Sequence, residues 1–231
     1  MLRIEAATIM NGPFAVRADL TAPAGEKIAV VGPSGAGKTT LVEAVAGFLP
    51  VTAGRILWDD ADITTVPPGE RPVAMLFQQA NLFPHLTVAQ NVALGLRADM
   101  KLDREGWAQV QQALDRVGLH GMGGRKPAAL SGGQQSRAAL ARVLVQNRPL
   151  LLLDEPFAAL GPALKAEMLD LVAELVAETG VTLLMITHDP EDARRIADQI
   201  IWVEEGVAHA PTPARVLLDN PTEALQSYLG T

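Results

Sequence analysis

The stretch Ile28-Ala29-Val30-Val31-Gly32-Pro33-Ser34-Gly35-Ala36-Gly37-Lys38-Thr39 decides the fold. Gly32 to Thr39 fits G-x-x-x-x-G-K-[ST]. It lies between an apolar run and a segment whose apolar positions Leu41, Val42, Val45 and Ala46 repeat at helical spacing. Strand, glycine-rich turn and helix in that order form an anion cradle. The glycines let successive backbone N–H groups turn inward around phosphate oxygens, and the helix N-terminus adds its dipole. Lys38 brings a mobile positive charge to the outer phosphates, and the Thr39 hydroxyl is a ligand for Mg²⁺. The expected occupant is a nucleoside triphosphate, held by Gly32, Pro33, Ser34, Gly35, Ala36, Gly37, Lys38, Thr39 and Thr40. An ordinary turn capping a helix would have to produce this spacing by coincidence.

A nucleotide held this way needs a carboxylate at the end of a neighbouring strand to complete the magnesium shell. Leu150-Leu151-Leu152-Leu153-Asp154-Glu155 is a buried-strand pattern that ends in two acids. Asp154 is the expected metal-site acid. Glu155, adjacent but differently directed, is the candidate to orient and partly deprotonate an attacking water. His188 closes the apolar run 182–187 and can donate to a terminal phosphate or to the nucleophile. The plainer alternatives are a helix cap or a solvated strand end for the acids, and a structural role for the histidine.

Extended segments are expected at residues 2–9 and 15–20, before the turn signal Pro23-Ala24-Gly25. A helix at 39–48 and strands at 54–58 and 73–77 follow. Between residues 87 and 147 the pattern becomes helical, with Val88, Val92 and Leu96, then Trp107, Val110, Leu114 and Val117, on repeated apolar faces. Strands at 150–153, 182–186 and 199–203 then alternate with helices at 163–178 and 190–197, the pattern of a parallel sheet with crossover helices. The tail 212–229 reads as a short helical closure.

A chain of 231 residues can bury roughly 70% of its extended surface. With 48% apolar and 19% charged residues it is neither disordered nor collagen-like. Aromatic residues are only 4%, so the core falls to Leu, Val, Ile and Ala, and the absence of cysteine excludes disulfides, thiolate chemistry and Cys-ligated metals. A net charge of −7 offers no broad footprint for nucleic acid. Met1-Leu2-Arg3-Ile4-Glu5 alternates like a strand rather than a secretory leader, and the apolar runs fall far short of the roughly 20 residues of a spanning helix.

Leu130-Ser131-Gly132-Gly133-Gln134, taken with the phosphate loop, resembles the signature of the ATP-binding subunits of ABC transporters. The resemblance covers nearly the whole chain. Gln78 in Leu76-Phe77-Gln78-Gln79 is similar to the family's Q-loop glutamine, Leu150 to Glu155 to its Walker B strand, and His188 in Ile186-Thr187-His188-Asp189 to its switch histidine. It implies an α/β fold: a P-loop NTPase (RecA-like) core with an ABC-type N-terminal β subdomain and an inserted helical subdomain. One ATP-binding domain over residues 1–231 is implied, with the helical subdomain at approximately 87–147.

ATP and Mg²⁺ are implied as cofactors, with Thr39, Gln78 and Asp154 around the metal and Glu155, His188, Lys38 and Gln78 in catalysis. In that family two chains pair head to tail around two nucleotides, so Ser131, Gly132, Gly133 and Gln134 would serve the partner's ATP. A helix N-terminus that turns free N–H groups toward phosphate suits that role, and a helix cap followed by a flexible turn is the bland alternative. Within the family, Ala46-Gly47-Phe48-Leu49, residues 71–78 and residues 81–91 are similar to the ATP-binding subunits of thiamine importers. The implied partners are a second copy of the chain, a transmembrane permease and, indirectly, a periplasmic solute-binding protein. The implied location is peripheral, on the cytoplasmic face of the inner membrane. Phe77, Leu82, Phe83 and Leu86 are candidates for a groove that receives a permease helix, against the alternative of ordinary inter-lobe core.

Some positions depart from the family pattern. Asn11 stands where an adenine-stacking aromatic would fall, which leaves the base to Phe14 or another side chain. Gly161 in Ala158-Ala159-Leu160-Gly161 replaces an aspartate that helps couple the two sites, and Gln135-Ser136-Arg137 brings an extra arginine. Altered communication between sites, with the chemistry retained, is expected. Alternative functions are an iron or polyamine importer ATPase and a soluble non-transport ABC-type switch. The single P-loop and the lack of sustained heptads weigh against the switch.

Overall fold

Side chains on a strand alternate between its two faces, so a short run of consecutive apolar residues must be buried on both. The computed structural model describes residues 1–78, 81–221 and 223–229; Gln79 lies outside them. Strands β1 (Leu2–Asn11), β2 (Phe14–Ala22) and β3 (Lys27–Val31) lead to helix α1 (Lys38–Ala46), followed by β4 (Val51–Trp58), β5 (Ala61–Asp62) and β6 (Val73–Leu76). Helices α2 (Val88–Ala93), α3 (Arg104–Arg116) and α4 (Gly132–Leu144) come next. Then β7 (Leu150–Asp154), α5 (Pro162–Thr179), β8 (Thr182–Ile186), α6 (Pro190–Ile196) and β9 (Gln199–Glu204) alternate. The chain ends in β10 (Val207–Ala208), β11 (Thr212–Pro213), α7 (Ala214–Asp219) and α8 (Glu223–Leu229).

A parallel sheet runs in the order β9-β3-β8-β7-β6. Antiparallel β5-β4-β1-β2 continues it through β10, which pairs antiparallel with β9 and parallel with β2. The strands β5 and β10 escape the sequence pattern because two residues are too few for an alternation to register. The expected apolar face 88-92-96 is also cut short. After Ala93 the chain tightens into i→i−3 bonds, with Gly95 N–H donating to Val92 O at 2.9 Å and Leu96 N–H to Ala93 O at 3.0 Å, so Leu96 falls outside α2.

The two faces of the parallel sheet bury different layers. Ile28, Val30, Leu150, Leu152, Leu184, Ile186, Ile201 and Val203 join α1 and the N-terminal β-layer in one core. Leu151, Leu153, Leu183 and Met185 point the other way, into a core shared with α5 and the helical region. Ala29, Val31, Ile200 and Trp202 meet α6, α7 and Leu225 of α8. The helix α1 is therefore wedged between two sheet layers, and its phosphate-facing end is set by packing over its whole length. Among the described residues, no helix is long and apolar enough to cross a membrane.

Candidate functional site

The loop 32–37 leaves β3 at the sheet's carboxyl edge and enters α1 through Gly37, whose φ of 108° lies in the left-handed region. Any side chain at Gly37 would meet Val16 Cγ2 at 2.5 Å and Phe14 Cε1 at 3.1 Å, so glycine is required by both conformation and space. No side chain caps α1, and its first N–H groups are left for an anion. A cavity of about 700 Å³ opens over this end. It is lined by Gly32, Ser34, Gly35 and Gly37 of the loop with Lys38, Thr39, Thr40, Asn11, Phe14, Glu155, His188 and Tyr228, while Pro33, Ala36 and Asp154 lie outside its lining.

Lys38 is buried, and its ammonium donates to the carbonyls of Gly32 (2.7 Å) and Pro33 (2.8 Å). Burial pushes its pKa down, and Glu155 and Asp154 oppose that shift. Asp154 ends β7. Its carboxyl is raised above the ordinary range, first by burial and then by the charges of Glu155 and Glu43, while a hydrogen bond with Thr39 and the charge of Lys38 pull the other way. The exposed Thr39 hydroxyl beside the half-buried Asp154 carboxylate, surrounded by excess negative charge, offers the hard oxygen donors that Mg²⁺ prefers, and a cation there would relieve the raised carboxyl. The residues present fit the ion.

Glu155 takes a φ of 43°, uncommon for a residue with a side chain, at the turn out of β7. Its carboxylate Oε2 lies 3.3 Å from His188 Nδ1. Strands β7 and β8 are parallel neighbours with Asp154 opposite Ile186, so their ends deliver the acid and the histidine to the same edge.

Not every expected residue reaches this cavity. Ser131 caps α4 in a reciprocal box, its hydroxyl accepting from Gln134 N–H at 3.3 Å and Gln134 Oε1 accepting from Ser131 N–H at 3.0 Å. Ser131, Gly132, Gly133 and Gln134 therefore sit at the start of α4 and do not line the phosphate cavity. Gln78 is exposed just beyond β6 and does not line it either. Arg137 is occupied within the single chain, donating to Val117 O at 2.7 Å and pairing with Glu167 of α5 at 2.5 Å. Gly161 caps α5 with no side-chain bond, and the space where a side chain would stand is open.

Asn11 and Phe14 face each other at the tip of the β1–β2 hairpin, and Asn11 Nδ2 donates to Thr40 Oγ1 at 3.4 Å. The polar residue is thus turned to the helix while the exposed Phe14 ring flanks the loop. Phe77 and Phe83 are exposed, and Phe48 packs against Phe77 with ring centres 5.7 Å apart. The segment behind them is pinned by buried Asn91, which accepts from Phe83 N–H at 2.7 Å and donates to the carbonyls of Phe83 and Thr87. Asn91, Tyr228 and Arg71 carry no functional mark of their own in the sequence. Only the Thr87-x-x-Gln90 capping pattern beside Asn91 carried a local signal.

Residues 16–158 match the family described as ABC transporter. Over their full lengths, the chain is 61% identical to the "Thiamine import ATP-binding protein ThiQ" of Ruegeria sp. (strain TM1040) and 58% identical to the protein of the same name from Cereibacter sphaeroides. Among solved structures, the ADP conformation of the ATP-binding cassette MJ1267 superposes with a TM-score of 0.89 at 25% identity, covering 100% of this chain and 99% of that one. The dimeric post-hydrolysis state of the cassette MJ0796 bound to ADP and Pi gives 0.79 at 29% identity, covering 93% and 99%.

Proposed function

Because this chain belongs to the ABC transporter family, as an ATP-binding subunit with Mg²⁺-dependent ATPase activity, we infer that it powers thiamine import through a membrane permease. The end-to-end likeness to thiamine-import ATP-binding proteins carries the choice of cargo. In this reading one domain spans the chain, with approximately residues 87–147 as a helical subdomain inside it.

In the proposed mechanism the nucleotide enters the cavity over α1. Lys38 exchanges its bonds with the Gly32 and Pro33 carbonyls for phosphate oxygens, which restores a full partner set to a buried ammonium. Thr39 and Asp154, joined by Gln78 on closure, would hold Mg²⁺, which supplies Lewis-acid neutralisation of the phosphate charge. Glu155 accepts a proton of the attacking water and sets its line of approach, and His188 donates to the terminal phosphate. The N-terminus of α4 with Ser131, Gly132, Gly133 and Gln134 faces the nucleotide of a second copy in a head-to-tail pair. Pairing therefore depends on nucleotide, and closure moves the helical lobes. The exposed Phe77 and Phe83, with Leu82 and Leu86, receive the permease on the cytoplasmic face of the membrane. A solute-binding protein on the far side selects the cargo.

Phe14 supplies the aromatic face for the base in place of Asn11. Phe14→Ala is expected to raise KM for ATP about tenfold with kcat little changed, since one base stack on an aromatic ring is worth about 1–3 kcal/mol. Steady-state kinetics check this, and an unaltered KM contradicts it. The function itself is tested by reconstituting the chain with its permease in vesicles and asking which solute, presented by its binding protein, stimulates ATP hydrolysis. Stimulation through a thiamine-binding protein supports the reading, and stimulation only by iron or a polyamine rejects it.

A further inference from the structure

The loop that carries His188 joins β8 to α6 and has no regular structure of its own, so contacts from outside must fix the imidazole. Its neighbours are held by side chains. Thr187 Oγ1 donates to Asp192 Oδ2 at 2.7 Å, and Lys165 pairs with both Asp189 and Asp192 at 2.7 Å. The backbone of His188 itself is reached from the far end of the chain: the Tyr228 hydroxyl donates to the His188 carbonyl at 2.6 Å.

Tyr228 is well placed to anchor that loop. Its ring packs edge-on against Trp202, with centres 5.4 Å apart. Trp202 lies on β9 opposite Val31, the last residue of β3 before the phosphate loop. One side of the tyrosine is thus fixed to the strand pair that carries the phosphate loop, and the other holds the histidine that faces Glu155 at 3.3 Å. Tyr228 also lines the cavity over the phosphate loop. Burial, with the charges of Glu155 and Asp189, raises the phenol's pKa, so it remains a donor at neutral pH.

We propose that Tyr228 is a positioning residue for ATP hydrolysis: its hydroxyl holds the His188 backbone so that the imidazole is directed at Glu155 and the terminal phosphate. The C-terminal helix then belongs to the ATPase site. The proposal rests on the reading of His188 as a group that meets the terminal phosphate.

The test uses the full-length chain. Tyr228→Phe keeps the ring against Trp202 and removes only the O–H. It is expected to lower kcat about fivefold, the scale of one lost hydrogen bond. KM for ATP should stay within about twofold. The melting temperature should fall by no more than about 3 °C, and amide hydrogen exchange at residues 187–189 should be faster without nucleotide. In a His188→Ala background, Tyr228→Phe should change kcat no further. A wild-type kcat and exchange pattern in Tyr228→Phe, alongside an impaired His188→Ala, overturns the role of Tyr228 alone. An undiminished extra loss in the His188→Ala background also overturns it, because Tyr228 would then act elsewhere. If His188→Ala leaves kcat unaltered, the reading of His188 fails, and the proposal with it.

Discussion

Glu155→Gln is expected to lower kcat for ATP hydrolysis about a thousandfold while ATP still binds, within the range of losses seen when a general base is removed. The amide has nearly the shape of the carboxylate and can occupy the same half-buried position beside His188. It cannot take the proton of the attacking water, and it removes one of the charges that raise the Asp154 carboxyl. The variant should therefore bind ATP and Mg²⁺ at least as well as the parent and accumulate as a nucleotide-bound pair. Equilibrium binding of a fluorescent ATP analogue, phosphate-release kinetics and sizing of the complex with and without ATP together check this. Near-normal hydrolysis would remove Glu155 from the mechanism.

The largest stability effect is expected at Arg71, which is only 2% exposed and has no carboxylate partner among the described residues. Its guanidinium donates to the carbonyls of Ala44 (2.7 Å) and Val45 (2.9 Å) in the last turn of α1, and to those of Val66 (2.8 Å) and Thr64 (2.9 Å). Burial pushes its pKa down, but an arginine stays charged, and the carbonyl end of a helix dipole is a favourable place for that charge. Gly47 makes room for it: this residue ends α1 at a φ of 89°, and a side chain there would come within 2.6 Å of Arg71 Nε. Arg71→Met fills the space but takes the guanidinium from these four carbonyls, of which Ala44 O still accepts from Gly47 N–H at 3.1 Å, at a cost of about 4 kcal/mol. For a chain of this size that corresponds to a melting temperature lower by about 10 °C. Calorimetry without nucleotide measures it, and a drop of only a degree or two would mean that water replaces the guanidinium.

What the sequence made legible was chemistry encoded over short spans. Gly32 to Thr39 states its own geometry, because a strand, six loop residues and a helix suffice to build an anion cradle. Leu150 to Glu155 reads as a strand ending in acids because its apolar run is bounded on both sides. Residue types with one dominant use, such as the Lys38-Thr39 pair, left little choice. Two of the less legible features depend on distant backbone. Arg71 binds carbonyls as far as 27 residues away, and Tyr228 binds one 40 residues away. A carbonyl is present at every position and leaves no mark in the sequence. The start of α4 is a different case: Ser131 and Gln134 cap each other in the single chain, so the same letters satisfy the bland reading here and await a second copy for the other.

On this reading, ATP hydrolysis at this site moves thiamine across a membrane. Uptake of radiolabelled thiamine into vesicles that hold the permease, with this chain on one face and the binding protein on the other, tests it most directly. Uptake is expected only when Mg-ATP is supplied on the face bearing this chain, and is expected to be lost with Glu155→Gln. Thiamine uptake that persists with Glu155→Gln or without ATP would contradict it.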